Sequence, residues 1–163
     1  MFVDYLLSIA TVIVPAASVV FAAFYHPRWA TKSTRKRTTF DTLNKKQWDK
    51  DYILCRKIFF NATEKSPNSL LDEINKEKKE TRKQSMVSVE TATRLIMNDY
   101  ELMLIAIETG ILDENIIKSW RKSSIIRDYQ RTKAFVEWIR AENNNNKIYE
   151  IFQKYARSWA EES

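Results

Sequence analysis

Between Tyr5 and Tyr25 the chain carries no charged residue (YLLSIATVIVPAASVVFAAFY). At 1.5 Å per residue, a helix of this length matches the roughly 30 Å hydrocarbon core of a bilayer. A soluble domain would have to bury such a helix on every side, and a chain of 163 residues has too little mass to do so. The run therefore predicts a transmembrane helix over residues 5–25, behind a short external N-terminus of residues 1–4. Tyr5 at one end and Phe24, Tyr25 and Trp29 at the other stand where aromatic rings favour the membrane interface. A cleaved signal peptide would carry positive charge ahead of its apolar stretch. Here Asp4 precedes the stretch and the Lys/Arg cluster follows it.

The net charge of +6 and the pI near 9.4 resemble a nucleic-acid signature until the charges are located. From His26 to Lys46 seven basic residues stand against Asp41 alone, whereas Gln47 to Ser163 holds 20 basic and 19 acidic residues. The excess thus sits directly behind the apolar run. Residues 26–37 read as a basic collar whose Arg28, Lys32, Arg35, Lys36 and Arg37 meet anionic lipid head groups. By the positive-inside rule the collar stays in the cytoplasm, so the N-terminus faces out and residues 38–163 form a cytoplasmic domain. That domain is nearly neutral, and no nucleic-acid partner is expected.

Within the run, Ser8, Thr11, Pro15, Ser18 and Ala22 follow spacings of three, four, three and four, which places small and weakly polar side chains on one stripe. Such a stripe is a seam along which two spans can approach closely. Its hydroxyls can equally bond their own preceding turn.

Only one Gly and three Pro occur in the chain, which starves it of the tight turns that β-sandwiches and barrels need. The fold class is all-α: one N-terminal transmembrane helix followed by a small cytoplasmic helical bundle. Cys55 is the only cysteine and His26 the only histidine, which removes disulfides, most zinc sites and Cys-His or Ser-His nucleophile pairs. No metal and no cofactor are expected.

Thr38 or Thr39 is placed to cap a first helix carrying Phe40, Leu43, Trp48, Tyr52, Cys55 and Phe59, with a break allowed near Trp48 to Lys50. Asn61 to Asn68 is a turn, and Ser66-Pro67 starts a helix that buries Leu70, Leu71 and Ile74. Residues 76–86 are a polar helix or linker, and residues 87–163 form the core helical unit. Val87 to Thr109 is its central helix, with Ala92, Ile96, Tyr100, Met103 and Ile107 on one face and Leu95, Leu102 and Ala106 widening it. Gly110 ends that helix in a left-handed position and Asp113 caps the next. The next helix carries Ile116, Ile117, Trp120, Ile125, Tyr129, Val136 and Ile139, with Ser123-Ser124 marking a bend. Asn143 to Asn146 is a turn, after which Ile148, Phe152, Tyr155 and Trp159 form the stripe of a last amphipathic helix.

The segment NDYELMLIAIETGILDENIIKSWRKSSIIRDYQRTKAFVEWIR, with the upstream TTFDTL and DKDYILCRKIF, resembles an uncharacterised family of bacterial and prophage proteins known as a domain of unknown function. The matching positions are Asp41, Asp51, Tyr52, Arg56, Tyr100, Glu101, Gly110, Asp113, Glu114, Phe135 and Arg140. The resemblance implies a single-pass protein of the bacterial inner membrane with a helical domain, and it supplies no mechanism.

The functional expectation is a membrane-anchored interaction or adaptor protein, working through a protein partner or self-association in a phage-related setting such as exclusion or defence. Tyr100, Glu101, Asp113, Arg127 and Arg140 are the residues proposed for a partner surface. An oligomeric membrane-active effector or lysis accessory, assembled along the Ser8 to Ala22 stripe, is the alternative. An enzyme is the less favoured reading, because its carboxylates, Glu101, Glu108 and Asp113, lack any group to activate them.

Overall fold

The computed structural model describes residues 31–64, 69–79 and 87–162. The run over residues 5–25 with its Ser8, Thr11, Pro15, Ser18 and Ala22 stripe, the collar residue Arg28, the Ser66-Pro67 start and residues 80–86 lie outside the described residues. Among the described residues the chain is entirely helical, and no helix is long and apolar enough to cross a membrane. Residues 31–47 belong to α1. They are followed by α2 (Lys50–Thr63), α3 (Ser69–Lys79), α4 (Val89–Glu108), α5 (Glu114–Asn143) and α6 (Glu150–Glu161).

Helix α4 is the pivot. Its predicted face is buried throughout, with Ala92, Ile96, Tyr100, Met103 and Ile107 in the core, and α2 and α6 pack on it from two sides. Helix α5 packs against α6, and α3 touches α2, α4 and α5. Leu43, Phe59, Leu70, Ile74, Ile117, Phe135, Phe152 and Trp159 complete the core. Tyr100 and Phe152 stack with ring centroids 5.2 Å apart, and Tyr129 meets Phe152 edge-on at 5.6 Å, which gives the centre a directional aromatic contact.

Capping chemistry sets most boundaries. The Asp49 carboxylate accepts the backbone N–H groups of Asp51 and Tyr52, so the break between α1 and α2 falls where the sequence allowed one. Ser88 caps α4 and Asp113 caps α5. Gly110 adopts φ +74, with its N–H donating to Ile107 O and that of Ile111 to Ala106 O, the paired bonds of a Schellman ending. Asn144 takes the left-handed position after α5 (φ 47). The polar stretch from Lys76 is helical as far as Lys79.

Several local expectations change. Thr38 and Thr39 do not cap α1: both lie inside it, where no Gly or Pro interrupts residues 31–47, and the Thr39 hydroxyl donates to Arg35 O at 2.8 Å. The turn expected from Asn61 starts later, because α2 continues to Thr63. Ser123-Ser124 makes no break, because α5 runs continuously from Glu114 to Asn143, held by the buried Ile117 and Ile125 on either side. Leu95 and Leu102 do not widen the buried face of α4. They point outward, and Thr93, Met97 and Leu104 widen it instead.

Arg35 comes from the collar but is only partly exposed, and a methyl group added at Gly110 would approach its Nη2 to 2.8 Å. Two effects therefore act at Gly110, backbone strain and crowding by a mobile guanidinium. We predict that Gly110→Ala lowers stability by about 1–2 kcal/mol, while Gly110→Asn, which tolerates left-handed φ, loses less. Urea unfolding midpoints test this. A larger loss for Asn than for Ala would assign the effect to crowding instead of backbone strain.

Candidate functional site

One carboxylate lies deep in the domain. Asp128 is 1% exposed and sits on the α5 face that also buries Ile125, Thr132, Val136 and Ile139. A buried charge is costly unless it is paired and hydrogen-bonded. Asp128 Oδ2 accepts from the Tyr100 hydroxyl at 2.8 Å and from Arg56 Nη2 at 3.0 Å, and Oδ1 accepts from Arg127 Nε at 3.0 Å. Arg56 Nη1 also donates to the Tyr100 oxygen at 2.6 Å. The cluster joins α2, α4 and α5 through one carboxylate. Burial, reinforced by the negative charge of Asp128, pushes the Tyr100 hydroxyl well above the usual tyrosine range, so it remains a donor.

Beside this cluster a cleft of 390 Å³ opens to solvent, lined by Lys46, Gln47, Tyr52, Ile53, Arg56, Trp120 and Arg121. Lys46 is held by Asp99, whose other oxygen accepts from the Tyr52 hydroxyl at 3.2 Å. Burial, followed by the repulsion of Arg121, pulls the Lys46 ammonium below the usual lysine range. Ile53 and Trp120 are half exposed and the nearby Trp48 is 82% exposed.

The residues expected to form a partner surface do not gather on one exposed face: Tyr100 and Arg127 meet at Asp128, and the others lie elsewhere in the domain. Tyr100 belongs to the buried cluster. Glu101 reaches from α4 to the start of α6, where its two oxygens accept the N–H groups of Ile151 and Phe152 at 3.2 and 2.7 Å. It supplies the cap that Tyr149, in a left-handed conformation with φ 58, does not provide. Asp113 caps α5, and its own N–H donates to the buried Thr39 hydroxyl at 2.9 Å. Arg127 binds Asp128 and, together with Arg131, lies over the Phe60 ring, 5.3 and 5.2 Å from its centre. Arg140 Nε donates to Ile148 O at 2.8 Å across the turn between α5 and α6.

Of the carboxylates weighed for catalysis, Glu101 and Asp113 cap helices and Glu108 pairs with Lys154 on the surface. No group of His, Cys, Asp and Glu among the described residues is arranged to hold a metal ion. Of the collar, Lys32, Lys36 and Arg37 are exposed, while Arg35 lies against Gly110.

Sequence reasoning missed Asp128 and the Trp120–Arg121 edge of the cleft. A signal for Asp128 was present: positions 125, 128, 132, 136 and 139 recur at three and four, so an acidic residue occupies the buried stripe. The cleft had no such signal, because α1, α2 and α5 converge there only in the folded domain.

Among the described residues the arrangement defines a class of protein, an all-α bundle whose helix ends and core are tied by a few committed polar side chains. A family described as a domain of unknown function (DUF4760) matches residues 12–159, and the chain belongs to that family. The match covers nearly all of the described residues and agrees with the resemblance in one respect, that the family is a domain of unknown function. No curated protein and no solved structure matches the chain.

Removing one partner of a buried pair leaves the other uncompensated, so Asp128→Ala is predicted to cost about 3 kcal/mol, the lower end for buried pairs because Arg56 is partly exposed. The raised Tyr100 pKa gives a second expectation. Its neutral form is favoured by the fold, so its contribution is fully present below the unfolded value near 10 and is lost as pH rises from there towards the folded value. In urea melts between about pH 8 and 11, Tyr100→Phe should flatten the alkaline decline. An unchanged slope would remove Tyr100 as its source.

Proposed function

We propose that the chain is a membrane-anchored helical interaction module, tethered by residues 5–25, oriented by the basic collar and recruiting a protein partner on its cytoplasmic side. The anchor rests on the charge-free run and on the positive cluster directly behind it. The phage-related setting rests on the family resemblance alone.

The observation that carries the interaction reading is the edge of the 390 Å³ cleft, where Trp120 stands half exposed beside Arg121. Tryptophan, tyrosine and arginine dominate the energetics of protein interfaces, because they combine large apolar area with a directional polar end. Tyr52, Ile53 and Trp48 extend the same surface. The polar groups of Tyr100, Glu101, Asp113 and Asp128 are meanwhile committed to internal bonds, so chemistry on a substrate has no uncommitted carboxylate to use there.

The test is cross-linking in intact cells followed by purification of the full-length chain. Trp120→Ala and Arg121→Glu should each remove a partner seen with the unaltered chain while leaving the amount of folded chain unchanged. Absence of any partner, the chain itself included, would overturn the module. Carbonate extraction tests the anchor separately: the chain should remain with the membrane fraction, and release into the supernatant would refute the tether.

A further inference from the structure

The outward face of α4 has a composition unlike the rest of the domain surface. Thr91, Leu95, Asn98, Leu102, Ile105 and Thr109 follow one another at spacings of four, three, four, three and four, and all six are exposed. Leu102 is 67% exposed, Leu95 39% and Ile105 38%. No charged residue lies on this line, although charged residues make up 29% of the chain. The alternation of three and four is the spacing of a helix seam that packs against a second helix at a shallow left-handed angle.

The line is also symmetric about residue 100. Set antiparallel against a copy of itself, Thr91 meets Thr109 of the second copy, Leu95 meets Ile105 and Asn98 meets Leu102. Such self-complementarity is what a twofold contact requires. The two Asn98 side chains then lie on either side of the axis, beside the two Leu102 side chains. The charges at the edge agree. On the flank towards α6, Arg94 of one copy comes opposite Glu108 of the other, and the twofold repeats the pair. Arg94 is held in place by Glu90 at 2.7 Å, and among the described residues Glu108 is exposed and bound through one oxygen to Lys154, so it keeps lone pairs for a further donor. Glu101 at the middle of this flank turns its carboxylate to the N-terminus of α6, where two backbone N–H groups hold it away from its copy. A parallel pairing would direct Arg94 towards Asp99, whose carboxylate is 14% exposed and already bound to Lys46 and Tyr52.

We propose that two copies of this chain associate through the outward faces of α4, antiparallel about a twofold axis beside residue 100. The contact rests on the interaction-module reading and deepens it by naming one partner, and it uses a different surface from the Trp120–Arg121 cleft. With both copies tethered to one membrane, the effective concentration is high enough for a seam of this modest area to hold.

The experiment is disulfide trapping of full-length chains in intact cells treated with a membrane-permeant thiol oxidant. Thr91→Cys and Thr109→Cys are placed on separately tagged copies and co-expressed; the native Cys55 is buried, so the unaltered chain is the blank. The expected result is a mixed dimer, joining position 91 of one copy to position 109 of the other, that dominates over the two like-with-like dimers. Adding Leu102→Lys to both copies should abolish the mixed dimer, and since that side chain is mostly exposed the variant should match the unaltered chain in helical content. Dominance of the dimer joining position 91 to itself, absence of any dimer, or a mixed dimer insensitive to Leu102→Lys would each overturn the proposal. Absence of the mixed dimer alongside retained capture of a partner at the cleft would discard the twofold contact and leave the interaction module standing.

Discussion

The domain depends on keeping one buried carboxylate bonded on both of its oxygens. Asp128 lies in the apolar stripe of α5, where an unpaired charge would cost several kcal/mol. Arg56 from α2, Tyr100 from α4 and Arg127 from α5 itself meet it at 2.8–3.0 Å. Each of these groups has a narrow range of positions from which it can reach the carboxylate, so the cluster fixes the rotation of α2 and α4 as well as their contact with α5. Apolar packing alone tolerates small slips of one helix along another. A shared carboxylate with three directional partners does not.

The helix ends follow the same pattern. Glu101 caps α6 from α4, Glu77 of α3 accepts the Val89 N–H at the start of α4, and the Thr39 hydroxyl of α1 accepts the Asp113 N–H ahead of α5. Each bond satisfies a backbone donor at or beside a helix start, and each ties together two helices, in two of the three cases some fifty residues or more apart. Helix α1 is drawn into the bundle in this way. Its Arg35, Thr39 and Lys46 reach Gly110, Asp113 and Asp99, so it runs antiparallel along α4 and part of the basic collar becomes part of the bundle.

What could be read from the sequence follows the range of each interaction. The Gly110 ending and the Asp113 cap are local, decided by residues within one helical turn, and the structure places both as the spacing predicts, whereas the asparagine turn starts at Asn144 and runs to Tyr149, which leaves Ile148 ahead of α6. The buried face of α4 was legible because its period is local too. Its width was not: Leu95 and Leu102 are as apolar as Met97 and Leu104, and only the directions from which α2 and α6 approach decide which pair is covered. Glu101 was singled out for a partner surface because an acidic residue on a helix gives no sign, in sequence, of a cap some fifty residues away. Thr39 misled for the opposite reason. Its hydroxyl does satisfy the start of a helix, but the helix is α5, not α1.

These commitments leave the surface unevenly supplied. Charged side chains tied to caps and to Asp128 are unavailable to solvate the faces beside them, and two groups stand out among the large apolar residues left outside. Leu95, Leu102 and Ile105 lie along α4, while Trp48, Ile53 and Trp120 gather where α1, α2 and α5 meet. The two differ in chemistry. The first is aliphatic, uncharged and helical in spacing, which suits a second helix of the same kind. The second combines aromatic rings with an arginine in a concave setting, which suits a side chain inserted from a different protein. On the proposed reading, in which the chain binds both itself and a partner, the two surfaces would be filled together. With Asp99 and its Lys46 and Tyr52 partners standing between them, the polar seam that holds α1 and α2 to α4 is also what keeps the two apolar regions from merging into one.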